Sequence, residues 1–268
     1  MKLNEFLSKN PVFTLSELDQ FLSQRGSGNR STRNALLSYY RQRGRIVSIR
    51  RGLYAVVPVG TLPETFAVDP YLLAAKMKPD AVLAYHTALE FHGKAYSVFK
   101  RFFCLTNKTS VPVRFRNYEF RCALTPQVLK KKHKENFGVQ ETERLGVSIK
   151  VTSLERTFVD VLDRPDISGS WEEIWRSLES IEFFDISKVI EYVLLLGNST
   201  TVAKAGFFLE QHRQELMIED NHLEPLFDLR PKQPHYLDRS KRKSGRFVSS
   251  WNLVVPNDII ERSWKEVF

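Results

Sequence analysis

Eight arginines fall between Gln20 and Pro63: Arg25, Arg30, Arg33, Arg41, Arg43, Arg45, Arg50 and Arg51. No lysine and no acidic residue lies in that interval. A guanidinium group is a planar fork of donors that fits phosphate oxygens and guanine edges, and it stays charged at any working pH. So much positive charge, with no acid inside the interval to neutralise it, points to a polyanion. A nucleic acid is the simplest choice.

The elements that must position these arginines are marked by their own residues. Thr14-Leu15-Ser16-Glu17 fits a capping box, in which a Thr oxygen and a Glu carboxylate reciprocally satisfy free backbone amides. It predicts a helix over 14–25, preceded by a short one near 2–9. Gly26-Ser27-Gly28 fits a turn, and Gly44 fits the stop of a third helix. Ile46–Ile49 and Leu53–Val57 read as two strands, with Arg50-Arg51-Gly52 at the turn between them. The order predicts a winged helix-turn-helix over residues 1–60.

At about 100° per residue, Leu36, Leu37 and Tyr40 share one face of the third helix, and Arg33 sits at its edge with a packed stem and an outward head. The opposite face carries Ser31, Asn34, Ala35, Ser38, Arg41 and Gln42. Such a face suits the major groove: small residues allow close approach, Asn34 and Gln42 suit adenine, and Arg41 suits guanine or phosphate. Arg30 and Ser31 begin the helix, where free amides and a positive dipole end favour phosphate. Arg45, Arg50 and Arg51 are placed to reach phosphates or a neighbouring minor groove. Sequence-specific RNA modules usually offer stacking aromatics on a sheet. This interval offers helices and an arginine-tipped hairpin, so duplex DNA is the favoured ligand.

The fold class expected for the whole chain is α+β, with a larger mixed α/β domain over residues 61–268 whose second half is helical. Pro58 to Asp69 reads as the connector. Asp69-Pro70 starts a helix near 70–78, short strands follow over about 81–152, and a helix covers Tyr85 to His92. Thr152-Ser153-Leu154-Glu155 and Ser170-Trp171-Glu172-Glu173 repeat the capping pattern and open helices near 153–163 and 171–180. The chain looks mainly helical over 153–229, with closing strands over 246–255. The apolar fraction of 42% can build a sizeable core.

Charge is uneven. Residues 1–60 hold ten basic and three acidic side chains, residues 61–150 fifteen and eight, and residues 151–268 fifteen and twenty. The front therefore favours polyanions, and the acidic rear suits a protein partner or plain structure. Two further basic runs, Lys130-Lys131-Lys132 and Lys241-Arg242-Lys243, are candidates for secondary phosphate contacts from the second domain.

Little else points to chemistry. GxxxxGK[ST], GxSxG and HExxH are missing from the sequence. Gly26-Ser27 and Gly169-Ser170 could open a nucleotidyltransferase signature, but no paired Asp-x-Asp follows either. His86 and His92 are six residues apart and fall on different helical faces, which argues against a shared metal. Asp160, Asp163 and Asp166 read as a solvated acidic helix end. Cys104 and Cys122 lie in apolar strand-like runs and read as reduced core thiols. The N-terminus lacks a leader pattern, and no apolar run approaches the ~20 residues of a membrane span. The expectation is a cytoplasmic chain with no cofactor, no metal and no membrane partner.

The ending Gly44-Arg45-Ile46, then Arg50-Arg51-Gly52-Leu53-Tyr54-Ala55, resembles the N-terminal winged helix of the AbiEi family, the antitoxin-regulators of type IV toxin–antitoxin systems linked to phage defence. Three more segments extend the resemblance over most of the chain. They are Leu83-Ala84-Tyr85-His86-Thr87-Ala88-Leu89-Glu90-Phe91-His92-Gly93, then Val151-Thr152-Ser153-Leu154-Glu155-Arg156-Thr157-Phe158-Val159-Asp160 followed by Asp163-Arg164-Pro165, and Trp251-Asn252-Leu253-Val254-Val255-Pro256. The resemblance implies a non-enzymatic repressor that binds inverted repeats upstream of its own operon. It also implies antagonism of a nucleotidyltransferase-like toxin without a stable complex. Two other readings stay open at this stage: a nucleic-acid-processing enzyme with an unrecognised site, and a non-specific DNA-associated scaffold whose acidic half recruits a protein partner.

Overall fold

The chain, a computed structural model described over residues 2–240 and 244–265, opens with α1 (Lys2–Lys9), β1 (Val12–Thr14), α2 (Leu15–Ser23) and α3 (Arg30–Gln42). The hairpin β2 (Ile46–Arg50) and β3 (Leu53–Val56) follows, then α4 (Pro70–Ala75), β4 (Val82–Leu83) and α5 (His86–Phe91). Next come β5 (Arg101–Thr106), β6 (Val113–Phe115), β7 (Tyr118–Leu124), α6 (Gln127–Lys131), β8 (Val139–Arg144) and β9 (Val147–Thr152). The rest is α7 (Leu154–Asp163), α8 (Trp171–Glu179), α9 (Ile186–Leu196), α10 (Ser199–Gln211), α11 (Asp220–Leu229), β10 (His235–Tyr236), β11 (Gly245–Val248), β12 (Leu253–Pro256) and α12 (Asn257–Glu261). The class is mixed α+β.

Side-chain caps fix the helix starts. Thr14 and Glu17 close the capping box: Thr14 N donates to Glu17 Oε2 at 2.7 Å, and Glu17 N donates to Thr14 Oγ1 at 3.3 Å. Asp69 caps α4 ahead of Pro70, and Ser170 caps α8. The start of α7 is displaced by one residue from expectation. Ser153, not Thr152, accepts from the Arg156 amide, because the Thr152 hydroxyl is engaged with Thr157 at 2.7 Å.

Two compact units divide the chain. The first comprises Met1–Leu83, Lys100–Ala123 and Glu141–Val151; the second comprises Ala84–Phe99, Leu124–Gln140 and Thr152–Phe268. The connector after Pro58 lies inside the first unit. Phe66 and Val68 are buried, and Arg116 donates to the carbonyls of Pro63 and Phe66. Residues 58–62 are exposed, and the chain is anchored again at Phe66 and Val68.

In the first unit, β1, β3 and β2 form an antiparallel sheet in that order, with Val12 opposite Ala55 and Ile46 opposite Val56. Phe6, Leu7, Phe13, Leu18, Leu22, Leu37 and Ile46 pack into one small core beneath it. β1 is three residues long, too short for alternation to announce it. The second sheet of this unit runs β6-β7-β5-β4-β9-β8, with β4 antiparallel to β5 and parallel to β9. Its edge strand β8 reads Val-Gln-Glu-Thr-Glu-Arg and is largely solvated, so it too lacks an apolar signature. Tyr71 of α4 meets Phe102 of β5 edge-on at 5.4 Å.

The second unit is mainly helical and closes with the sheet β10-β12-β11. Trp251 is fully buried, stacks on Phe227 at 4.4 Å and donates Nε1–H to Glu210 at 2.8 Å. It fills the space over Gly206, where an added Cβ would stand 2.2 Å from the indole ring.

Candidate nucleic-acid interface

Helix α3 owes its orientation to one buried contact and one cap. Leu37 enters the small core while Leu36 and Tyr40 pack at its margin. Asn29 accepts the Thr32 amide at 2.7 Å and ends the preceding turn. At its other end, Gly44 takes a left-handed φ of +63°, and a Cβ there would meet Pro63 Cγ at 2.8 Å. That position admits glycine on both counts.

This phasing leaves Arg30, Ser31, Asn34, Ala35, Ser38, Arg41 and Gln42 exposed. The helix is about 20 Å long by its rise per residue, and no acidic side chain occurs in it. Asn34 Oδ1 accepts from Arg33 Nε at 3.3 Å, which fixes the direction of its amide. Arg43 lies over the Tyr39 ring at 4.5 Å, so guanidinium and aromatic faces stack on the same surface.

Three of the expected contact residues are placed differently from the sequence reading. Arg33 is half-buried and pairs with Asp19 of α2 at 2.8 Å, so its head clamps two helices together. The acid that neutralises it stands just outside the acid-free interval. Arg50 turns inward and donates to the Met77 carbonyl at 2.5 Å, with its Nε enclosed and without a partner. Arg45 is half-buried, and its Nε is likewise enclosed and unpartnered. Arg51 remains exposed at the turn. The turn itself is tied down, since the Leu15 amide donates to the Gly52 carbonyl at 2.8 Å. A hairpin held in this way presents Arg51 from a fixed position.

Sequence reasoning missed a basic cleft in the same unit. A depression of about 490 Å³ is bordered by Arg50, Lys76, Lys78 and Lys150 and by the start of α2. These cations are scattered over a hundred residues of sequence, so no run of charge announced them. Glu17 lies in its wall and pairs with Lys76. Burial raises the Glu17 carboxyl, but the Lys76 and Thr14 hydrogen bonds outweigh it, and it settles below its ordinary value.

Of the secondary phosphate candidates, Lys130 and Lys131 end α6 and Lys132 caps it. Lys131 is exposed. Lys132 donates to the Leu195 carbonyl at 3.0 Å, which holds α6 against α9. Lys241, Arg242 and Lys243 lie outside the described residues.

Of the groups weighed for catalysis, Asp160 and His86 are buried in the second unit, Asp163 and His92 are half-buried, and Asp166 is exposed and pairs with Arg164 at 2.9 Å. Asp160 is 2% exposed, where a solvated acid was expected. It accepts from Arg156 Nε at 3.2 Å and from the Tyr192 hydroxyl at 2.7 Å. Burial pushes its carboxyl up against the pull of both partners. His86 shares a hydrogen bond with Glu173 at 3.0 Å and stacks on Phe99, while His92 bonds to the Thr152 carbonyl at 2.8 Å. Among the described residues, no group of three or more His, Cys, Asp or Glu side chains is arranged to hold a metal ion. Nor is any helix long and apolar enough to cross a membrane.

No protein-family model and no curated protein matches the chain. Among solved structures, it is similar to the RV2827C protein from Mycobacterium tuberculosis, with a TM-score of 0.62 and 16% sequence identity over 99% of this chain and 94% of that one. At that identity the likeness concerns the fold alone.

Proposed function

We propose that the N-terminal elements form a winged helix that binds duplex DNA sequence-specifically, and that the chain is an autorepressor and the antitoxin of a type IV toxin–antitoxin system. The observation that carries the DNA reading is the acid-free exposed face of α3, with Arg30, Ser31, Asn34, Ser38, Arg41 and Gln42 side by side. The order α1-β1-α2-α3-β2-β3, with the sheet β1-β3-β2, supports reading α3 as the recognition helix. Arg51 would hold a phosphate beside it. Amide and guanidinium groups on a single acid-free face can pair with base edges, whereas a merely solvated helix would mix both signs.

The antitoxin role rests on the resemblance to the AbiEi family. In this reading the chain is not an enzyme and needs no cofactor. It binds inverted repeats upstream of its own operon and opposes a nucleotidyltransferase-like toxin without a stable complex. A gel shift with the chain's own upstream region against a scrambled duplex tests the repressor claim, and equal binding to both removes it. Co-expression with the neighbouring toxin candidate tests the antitoxin claim, which requires restored growth.

A further inference from the structure

The chain contains two cysteines, and the fold brings them together. Cys104 on β5 and Cys122 on β7 occupy neighbouring strands of the six-stranded sheet, with their sulfurs 3.2 Å apart. Both are free thiols. Side chains alternate across a strand, so Phe102 shares a face with Cys104 and Phe120 with Cys122. The stacking of Phe102 on Phe120, centroids 5.7 Å apart, places all four on one side of the sheet. Neighbouring strands lie about 4.8 Å apart, within the Cα separations a disulfide accepts, and roughly 1 Å of sulfur movement would close the bond.

The two thiols differ in access. Cys104 is 1% exposed, whereas Cys122 is half-buried and reachable from solvent. The Ser110 hydroxyl sits 3.6 Å from the Cys122 sulfur. The hydrogen bond from Cys104, then that from Ser110 and the charges of Lys78 and Arg50, outweigh burial and hold the Cys122 thiol below its ordinary value. Cys104 is pushed the other way by the same hydrogen bond and by burial. An accessible, thiolate-prone sulfur beside a buried partner is the arrangement of an attacking and a resolving cysteine.

We propose that Cys122 and Cys104 form a reversible dithiol–disulfide site whose oxidant is a small peroxide. The Cys122 thiolate attacks one peroxide oxygen, so an S–O bond forms and the O–O bond breaks. The departing hydroxide takes up the thiol's proton and leaves as water. Cys122 is now a sulfenic acid, and the peroxide has been reduced. The Cys104 sulfur attacks the Cys122 sulfur; the S–S bond forms, the S–O bond breaks, and hydroxide leaves with the Cys104 proton as a second water. Two thiols and one peroxide give one disulfide and two waters. A dithiol reductant reverses the bond by exchange.

The test uses the full chain treated with hydrogen peroxide at a small molar excess. Intact mass and free thiols are measured under denaturing conditions. The expected product is monomeric, lighter by two hydrogen atoms, lacks both free thiols and recovers them with dithiothreitol. Peptide mapping should find the Cys104 and Cys122 peptides joined. The variant Cys122→Ser keeps Cys104 buried and should resist the same treatment. Cys104→Ser should stop at an oxygen adduct on Cys122, and if it fails to fold, the map of the natural chain decides alone. Two thiols persisting after treatment, stable addition of oxygen without loss of hydrogen, or a disulfide formed only between chains would each overturn the site.

Discussion

Arg50 and Arg51 are neighbours in sequence with opposite surroundings, and that difference sorts what each can do. Arg51 is exposed at the turn. Arg51→Ala should weaken binding to every duplex and lower the slope of log affinity against log salt by about 0.9, as expected for one lost phosphate contact. Arg50 is spent on the Met77 carbonyl, so Arg50→Ala should lower the melting temperature and leave the salt slope unchanged. Salt titrations of the two single variants separate these outcomes. Asn34 stands on the exposed face with its amide oriented by Arg33. Asn34→Ala should change the ranking among operator variants, with about 1–3 kcal/mol of discrimination lost at one base position. Equal loss on all sequences would show that α3 does not face the bases.

Among the elements, the α2 capping box supports both the helix and the cleft. Thr14→Ala should cost about 1 kcal/mol of stability in a denaturant titration. Glu17 sits below its ordinary value of 4.5, so its contribution is present above that pH and fades as pH falls through the lowered value. Glu17→Gln should therefore melt earlier than the natural chain at neutral pH, and the gap should narrow in acid. Gly206→Ala on α10 should destabilise by about 1–3 kcal/mol, since its Cβ would drive into the Trp251 indole. Elements with a polar cap and an apolar stripe were legible in the sequence: Thr14, Asp69 and Ser170 begin helices where read. β1 and β8 were not, one being too short and the other too polar for periodicity to register. The exposed face of α3 could be phased from Leu37, whereas the fates of Arg33 and Arg50 depend on Asp19 and Met77. Contacts 14 and 27 residues away leave no local trace.

For the molecule as a whole, charge and burial tell different parts of the account. The segments that resemble the AbiEi family lie mostly in the interior: His86, Thr157, Asp160 and Trp251 are all buried. In support of the proposed role they therefore bear on packing rather than on a binding surface. The surface argument rests on the basic front of the chain, where residues 1–60 carry ten basic and three acidic side chains. On the proposed reading, that imbalance predicts tight association with duplex DNA at low salt that falls steeply as salt rises, and the role proposed for α3 predicts that a preference among sequences survives at physiological salt. The direct test is a titration of the full chain, at about 0.15 M salt, against its own upstream region and a scrambled duplex of equal length and composition. The account predicts roughly tenfold or tighter binding to the upstream region, with that preference erased by Asn34→Ala combined with Arg41→Ala. Equal affinity for the two duplexes, or a preference untouched by the double substitution, would contradict it.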